Sequence, residues 1–206
     1  SALPVAVVPF SSTGASVNIS AIVNADLERC GYFKMMAEQS MPSRPSKAAE
    51  VNFKEWQTLG QNYLVIGQVI DAGGQYNVQF QLLDTYKSGQ LLGYRMVSSS
   101  ADLRRTAHHI SDLIFEKLTG KKGVFSGRIA YITTTNLGGK QQSHRLQVAD
   151  ADGFNPQTIA SSVEPLMSPS WSPDGKKVAY VSFERKSAAI YVQTLATGER
   201  ARVAEF

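Results

Sequence analysis

Cysteine is nearly absent: Cys30 is the only one in 206 residues, so no disulfide forms within the chain and the redox compartment stays open. Long apolar runs are missing as well. Nowhere do about eighteen apolar residues follow one another, which excludes a membrane-crossing helix read from sequence. Like charges never gather beyond two or three residues. Residues 1–120 hold ten Lys/Arg against ten Asp/Glu, and residues 121–206 hold eleven against seven. The net charge of +4 therefore describes a solvated surface, not a stripe that tracks phosphates. Signatures of chemistry are missing too: no Gly-x-Ser-x-Gly elbow, no Walker loop, no Gly-x-Gly-x-x-Gly after a strand, no Cys/His cluster. His108 and His109 are neighbours on one helix, so their side chains diverge by about 100° and cannot share a metal ion. His108, one turn from Arg104 and from Asp112, is expected in a surface ion pair. Asp150-Ala-Asp152-Gly153 opens like a calcium loop but lacks the later acidic ligands, and reads as a turn. No catalytic residue, cofactor or metal ligand is expected.

What is present is a protein with real cores, 43% hydrophobic and 18% charged. Its organising stretch is Pro169-Ser-Trp-Ser-Pro-Asp-Gly175, followed at once by Lys176-Lys-Val-Ala-Tyr-Val-Ser182. Pro173 presets φ for the corner of a type I turn, Asp174 can accept a hydrogen bond from its own backbone two residues on, and Gly175 takes the positive-φ position. Alternation follows, with Val178, Tyr180 and Ser182 on one side and Ala179 and Val181 on the other. The stretch is a hairpin, and Trp171 marks the apolar face of its first arm.

The hairpin has a counterpart. Arg128-Ile-Ala-Tyr-Ile-Thr133 resembles Lys177-Val-Ala-Tyr-Val-Ser182 at an offset of 49 residues, and His144–Asp150 matches Ala189–Leu195 in pattern. Three strands follow in each unit, and the second has a fourth before its turn. A period of about 40–50 residues with short strands is the signature of a propeller blade. Two blades supply seven strands, and the smallest propellers need about four blades of four. The chain is therefore expected to be incomplete.

Residues 1–122 read differently, as an α/β domain with a mixed sheet and helices on one face. Pro4–Phe10 is a short apolar strand bounded by prolines; it lacks a basic leader pattern and does not read as a signal peptide. Asn18 caps a helix whose stripe is Ile19, Ile22, Val23, Leu27 and Cys30, which makes the cysteine a core residue. Phe53, Trp56 and Leu59 form the inner face of a short helix. In the strand from Tyr76, residues Tyr76, Val78, Phe80 and Leu82 point inward, and Asn77, Gln79 and Gln81 outward. Ser99 or Ser100 caps a long helix carrying Leu103, Ala107, Ile110, Ile114 and Leu118, which Gly120 ends. The periodicity changes from 3.6 to 2 near Lys121–Ser126, so the β part is expected over 127–206.

The Pro-x-Trp-Ser-Pro-Asp-Gly hairpin with Val178-Ala-Tyr180 resembles the blade motif of the TolB family of Gram-negative periplasmic proteins. Val7-Val-Pro-Phe10 and Phe115-Glu-Lys-Leu-Thr-Gly120 fit the same family. The resemblance implies an anticodon-binding-like α/β domain ahead of a six-bladed propeller, of which residues 127–206 are the first two blades. A C-terminal strand closes the first blade in that family, which accounts for its missing partner here. It also implies a non-enzymatic periplasmic adaptor of the Tol–Pal system, present as a mature form. The partners implied are the peptidoglycan-associated lipoprotein Pal at one propeller mouth and TolA at the N-terminal region, with colicins exploiting the protein. The implied roles are outer-membrane integrity, cell division, protein transport and bacteriocin import. By position, Leu166, Met167 and Ser168 line the Pal-binding mouth; Leu166 and Met167 also suit packing between blades. Similar hairpins occur in prolyl-oligopeptidase-type peptidases, whose propeller gates a hydrolase. A nucleic-acid partner, suggested by the anticodon-binding likeness, is not expected from the balanced charge of residues 1–120.

Overall fold

A computed structural model describes all 206 residues. The chain divides into two units, Ser1–Ser126 and Gly127–Phe206.

The first unit is a mixed sheet of order β3-β1-β4-β5-β6, built from β1 (Leu3–Val7), β3 (Phe33–Met35), β4 (Tyr63–Asp71), β5 (Gln75–Asp84) and β6 (Gly89–Ser99). Strands β3 and β4 flank β1 in parallel, and β5 and β6 continue antiparallel. The expected Pro4–Phe10 strand is shorter, because Pro9 has no N–H to give to a neighbour. The ladder pauses there and resumes as β2 (Ser11–Ser12), which pairs with the far end of β4. Across the pause, Val8 N donates to Val65 O at 2.9 Å and Thr13 N to Val69 O at 3.0 Å.

Two long helices, α1 (Ile19–Arg29) and α3 (Leu103–Thr119), lie on one face of the sheet. Val5, Val7, Val65, Val78, Phe80 and Leu82 meet Val23, Leu27, Ile110 and Ile114 there. Burial of aliphatic and aromatic side chains of this size stabilises by about 1.5–3 kcal/mol each. Asn18 caps α1 as expected, its side chain accepting from Ala21 N at 3.1 Å. The cap of α3 differs from expectation. A short 3₁₀ turn, Ser100–Asp102, precedes the helix, Asp102 is its first flanking residue, and Ser99 Oγ donates to Asp102 Oδ2 instead of to the helix backbone.

Helix α2 (Phe53–Thr58) lies against the other face, where Trp56 packs on Ala6, Val8, Leu64, Ile66 and Leu83. The one-face arrangement thus holds for the two long helices, and α2 adds cover over β1 and β4. The β5–β6 part of that face stays open and polar, as the outward Gln79 and Gln81 require.

The second unit holds two antiparallel sheets. One is β7 (Arg128–Gly138), β8 (Gln141–Asp150) and β9 (Gln157–Ser162); the other is β10 (Leu166–Trp171), β11 (Lys177–Ser182), β12 (Ala189–Thr194) and β13 (Arg200–Glu205). Three strands and then four agree with the blade repeat. Leu146, Leu166, Val178, Tyr180, Ala189 and Tyr191 bury themselves between the sheets, with Ile132 and Ile159 packed against them. Two twisted sheets stacked through such side chains are the elementary joint of a propeller.

Candidate partner-binding end of the second unit

The turn between β10 and β11 forms as its residues dictate. Gly175 N donates to Ser172 O at 2.9 Å, Lys176 N to Asp174 Oδ1 at 3.0 Å, and Gly175 sits at φ 69°. Ser172 Oγ donates to Asp174 Oδ1 at 2.6 Å, which holds that carboxyl below the usual aspartate range. Arg128, from the neighbouring sheet, stacks over Trp171 at 5.0 Å and donates to Gly175 O at 2.7 Å. The hairpin that marks the sequence therefore also clamps the two sheets together.

Leu166, Met167 and Ser168 lie at the opposite end of β10. Leu166 pairs with Ser182 and is buried in the core between the sheets. Met167, opposite Val181, is 49% exposed. Ser168 is exposed and adopts φ 52°, inside a bulge where the register shifts between Met167 and Ser170. Such a bulge turns successive side chains out of the regular alternation. The three residues are thus contiguous in the chain but divided in role: one packs inward and two face solvent. Val163, 73% exposed, precedes them, and the Phe183–Ala188 loop closes the same end through Phe183 N donating to Pro165 O at 3.1 Å. This end exposes the apolar side chains of Val163 and Met167 beside the Ser168 hydroxyl.

A polar network that sequence patterning misses crosses the same unit. Arg200 Nη2 donates to both Glu184 oxygens at 2.8 and 3.1 Å, and its guanidinium lies 4.4 Å from the Tyr191 ring centre. Arg200 Nη1 also donates to Tyr180 Oη, Tyr180 donates to Gln193 Oε1 at 3.1 Å, and Gln193 Nε2 reaches Ile159 O on the neighbouring sheet at 2.7 Å. Burial alone would raise the Glu184 carboxyl, but hydrogen bonds from Tyr191 and Arg200 hold it below the ordinary glutamate range. The same contact with Glu184 raises the Tyr191 phenol. Of these side chains, the sequence assigned a side only to Tyr180, with Val178 and Ser182.

In the first unit the expectation for His108 is corrected. It is not a surface residue; it is 2% exposed, and its Nδ1 lies 2.7 Å from Oδ2 of Asp26, itself 1% exposed on α1. Ser111 Oγ donates to the same oxygen at 2.8 Å, and Arg29 pairs with the other. Residues 82 positions apart meet because α1 and α3 pack together, and the Arg104–Asp112 spacing on one helix carries no trace of that. Asp112 instead accepts from Phe125 N and from Ser126, tying the chain after α3 back to the helix. Asp150–Gly153 is a turn: Gly153 N donates to Asp150 O at 2.8 Å, and Asp152 Oδ1 accepts from Phe154 N.

A mixed α/β unit followed by four-stranded blade architecture places the chain among α/β-plus-propeller proteins. Residues 1–91 match the family model of the TolB amino-terminal domain, and residues 115–206 that of the TolB beta propeller domain. The whole chain is 47% identical to the Tol-Pal system protein TolB of Xanthomonas oryzae pv. oryzae, covering 48% of that protein. It is 48% identical to the Tol-Pal system protein TolB of Nitrosococcus oceani, again over 100% of this chain and 48% of the relative. The crystal structure of TolB from Acinetobacter baumannii superposes with a TM-score of 0.89 at 38% identity, over 100% of this chain and 50% of that one. The chain belongs to the TolB family. It spans about half the length of the relatives it matches.

Proposed function

We propose that this protein serves the Tol–Pal system as a non-enzymatic periplasmic adaptor, with Pal and TolA as its partners. The observation that carries this reading is identity of 47–48%, over 100% of the chain, to relatives that bear the name of that system. One feature is consistent with it: the β10 end of the second unit presents Met167 and Ser168 on a bulged strand, exposed to a partner surface. No helix of the chain is long and apolar enough to cross a membrane. In this reading Leu166 shapes the mouth from within, Met167 and Ser168 touch Pal, and the N-terminal region serves TolA. Outer-membrane integrity, cell division and colicin entry are the processes in which such an adaptor takes part.

The test is calorimetric titration of the natural protein with the soluble domain of Pal. Binding is expected, and Met167→Asp should weaken it by about tenfold or more, because it brings an unpaired charge into the contact. Unaltered affinity removes Met167 from the site; no heat with the unsubstituted protein rejects the Pal reading.

A further inference from the structure

We propose that the open face of β4, β5 and β6 in the first unit is a binding site for a short acidic saccharide. The face forms a cleft of about 360 Å³, at the lower end of the size range of small-molecule pockets. Its floor is a row of side chains that the ladder places directly opposite one another: Gln68 on β4, Gln79 on β5 and Arg95 on β6. Strand spacing sets these about 5 Å apart, so the row reads a ligand about 10 Å long. Gln81 and Gln90 form a second row beside it.

A solvated sheet face is ordinarily free to carry any polar side chain; this one is arranged. Gln81 Nε2 donates to Gln90 Oε1, which leaves a free amide donor on Gln90 and a free carbonyl on Gln81. Gln90 lies across Gly93, where a Cβ would stand 2.4 Å from Gln90 Nε2, so the absence of a side chain at 93 is what lets the amide lie there. Gln68 Nε2 donates to Ser46 Oγ at 3.4 Å and fixes the overhanging 46–47 loop as one wall. Glu50 accepts from Ser46 N at 3.2 Å and Lys47 N at 2.9 Å, which holds that loop in place and keeps its carboxylate below the usual range. The lining contains Lys47 and Arg95 but no Asp or Glu, and Arg95 is exposed without an ion pair.

The chemistry selects the ligand class. Amides that can both donate and accept match hydroxyl groups, which also do both, whereas a phosphate needs donors alone. The two cations at the rim add an anionic group to that saccharide, which the carboxylates of the hyaluronan probe supply. An extended peptide would add through its backbone to a sheet edge such as the outer side of β6, whereas the cleft lies over the face of β4, β5 and β6, where side chains read the ligand.

The probe is hyaluronan tetrasaccharide, with uncharged, fully N-acetylated chitotetraose and tetraglutamate as comparisons, followed by side-chain amide resonances of the 206-residue chain. Shifts are expected at Gln68, Gln79, Gln81 and Gln90 with hyaluronan, and affinity for chitotetraose should be about tenfold lower. Arg95→Glu, at an exposed position, should lower hyaluronan affinity by at least about tenfold with an unchanged far-ultraviolet spectrum, and Gly93→Ala should perturb the Gln90 resonance before any ligand is added. The proposal is overturned by no shift at millimolar hyaluronan, by equal affinity for the neutral sugar, by unchanged binding in Arg95→Glu, or by tetraglutamate binding as tightly. The test uses neither Met167 nor Pal, so its failure leaves the adaptor reading untouched.

Discussion

Gly175→Ala isolates the conformational demand of the turn on which the second unit is organised. A Cβ at this position meets nothing closer than Arg128 Nη2 at 3.9 Å, so the substitution brings no collision. Its cost is backbone alone. At φ 69° an L-residue with a β-carbon is disfavoured by about 1–2 kcal/mol. Against this, alanine stiffens the unfolded chain and returns about 0.4–1 kcal/mol. The net loss is about 1 kcal/mol, which for a unit of this size lowers the melting midpoint by about 4–8 °C. Thermal unfolding followed by circular dichroism reads it directly. Gly175→Asn should lose less, since asparagine tolerates the left-handed region better than alanine does. A midpoint unchanged in the alanine variant would refute the reasoning. So would an asparagine variant that falls as far, because the loss would then come from the Arg128 contact and not from φ.

Three further outcomes are expected. Gln193→Leu leaves Ile159 O and Tyr180 Oη without their buried partner and should destabilise the second unit by about 1–3 kcal/mol in denaturant unfolding. Asp26→Ala strips His108, Ser111 and Arg29 of a shared acceptor buried between α1 and α3 and should cost about 3 kcal/mol or more, read as a lower denaturation midpoint of the first unit. Glu184 titrates below its ordinary value in the folded state, so its contribution to stability is present above the unfolded pKa and disappears as pH falls through the folded one. A Glu184→Gln variant should therefore show a shallower acid-side loss of stability than the unsubstituted protein; parallel pH profiles would remove Glu184 from that role.

What could be read from the sequence is what repeats or alternates. The Ser172–Gly175 turn, the three- and four-stranded sheets and the stripe of α3 follow local rules that each residue obeys with its near neighbours. The contacts that could not be read join residues far apart in sequence. Asp26 and His108 meet only because two helices pack, Gln193 reaches Ile159 only across a sheet interface, and Trp56 finds the far face of β1 and β4. In each case a polar or bulky side chain answers to a partner that periodicity does not encode. The end of β10 lies between these extremes. The sequence suited Leu166 and Met167 alike to packing between blades; only Leu166 packs inward, and the bulge that exposes both Met167 and Ser168 breaks the pattern from which their direction would be read. The open face of the first sheet was legible as polar from Gln79 and Gln81; its cleft was not, because the wall comes from Ser46 and Lys47 on a distant loop.

The account depends most on Gly127–Phe206 being two stacked sheets and not one continuous barrel. Nuclear Overhauser measurements on the 206-residue chain test that directly. Contacts between the Leu146 methyls and the Tyr180 and Tyr191 rings are predicted, together with no backbone ladder between β9 and β10. Ladder contacts running from β9 into β10, without the Leu146–tyrosine contacts, would contradict it.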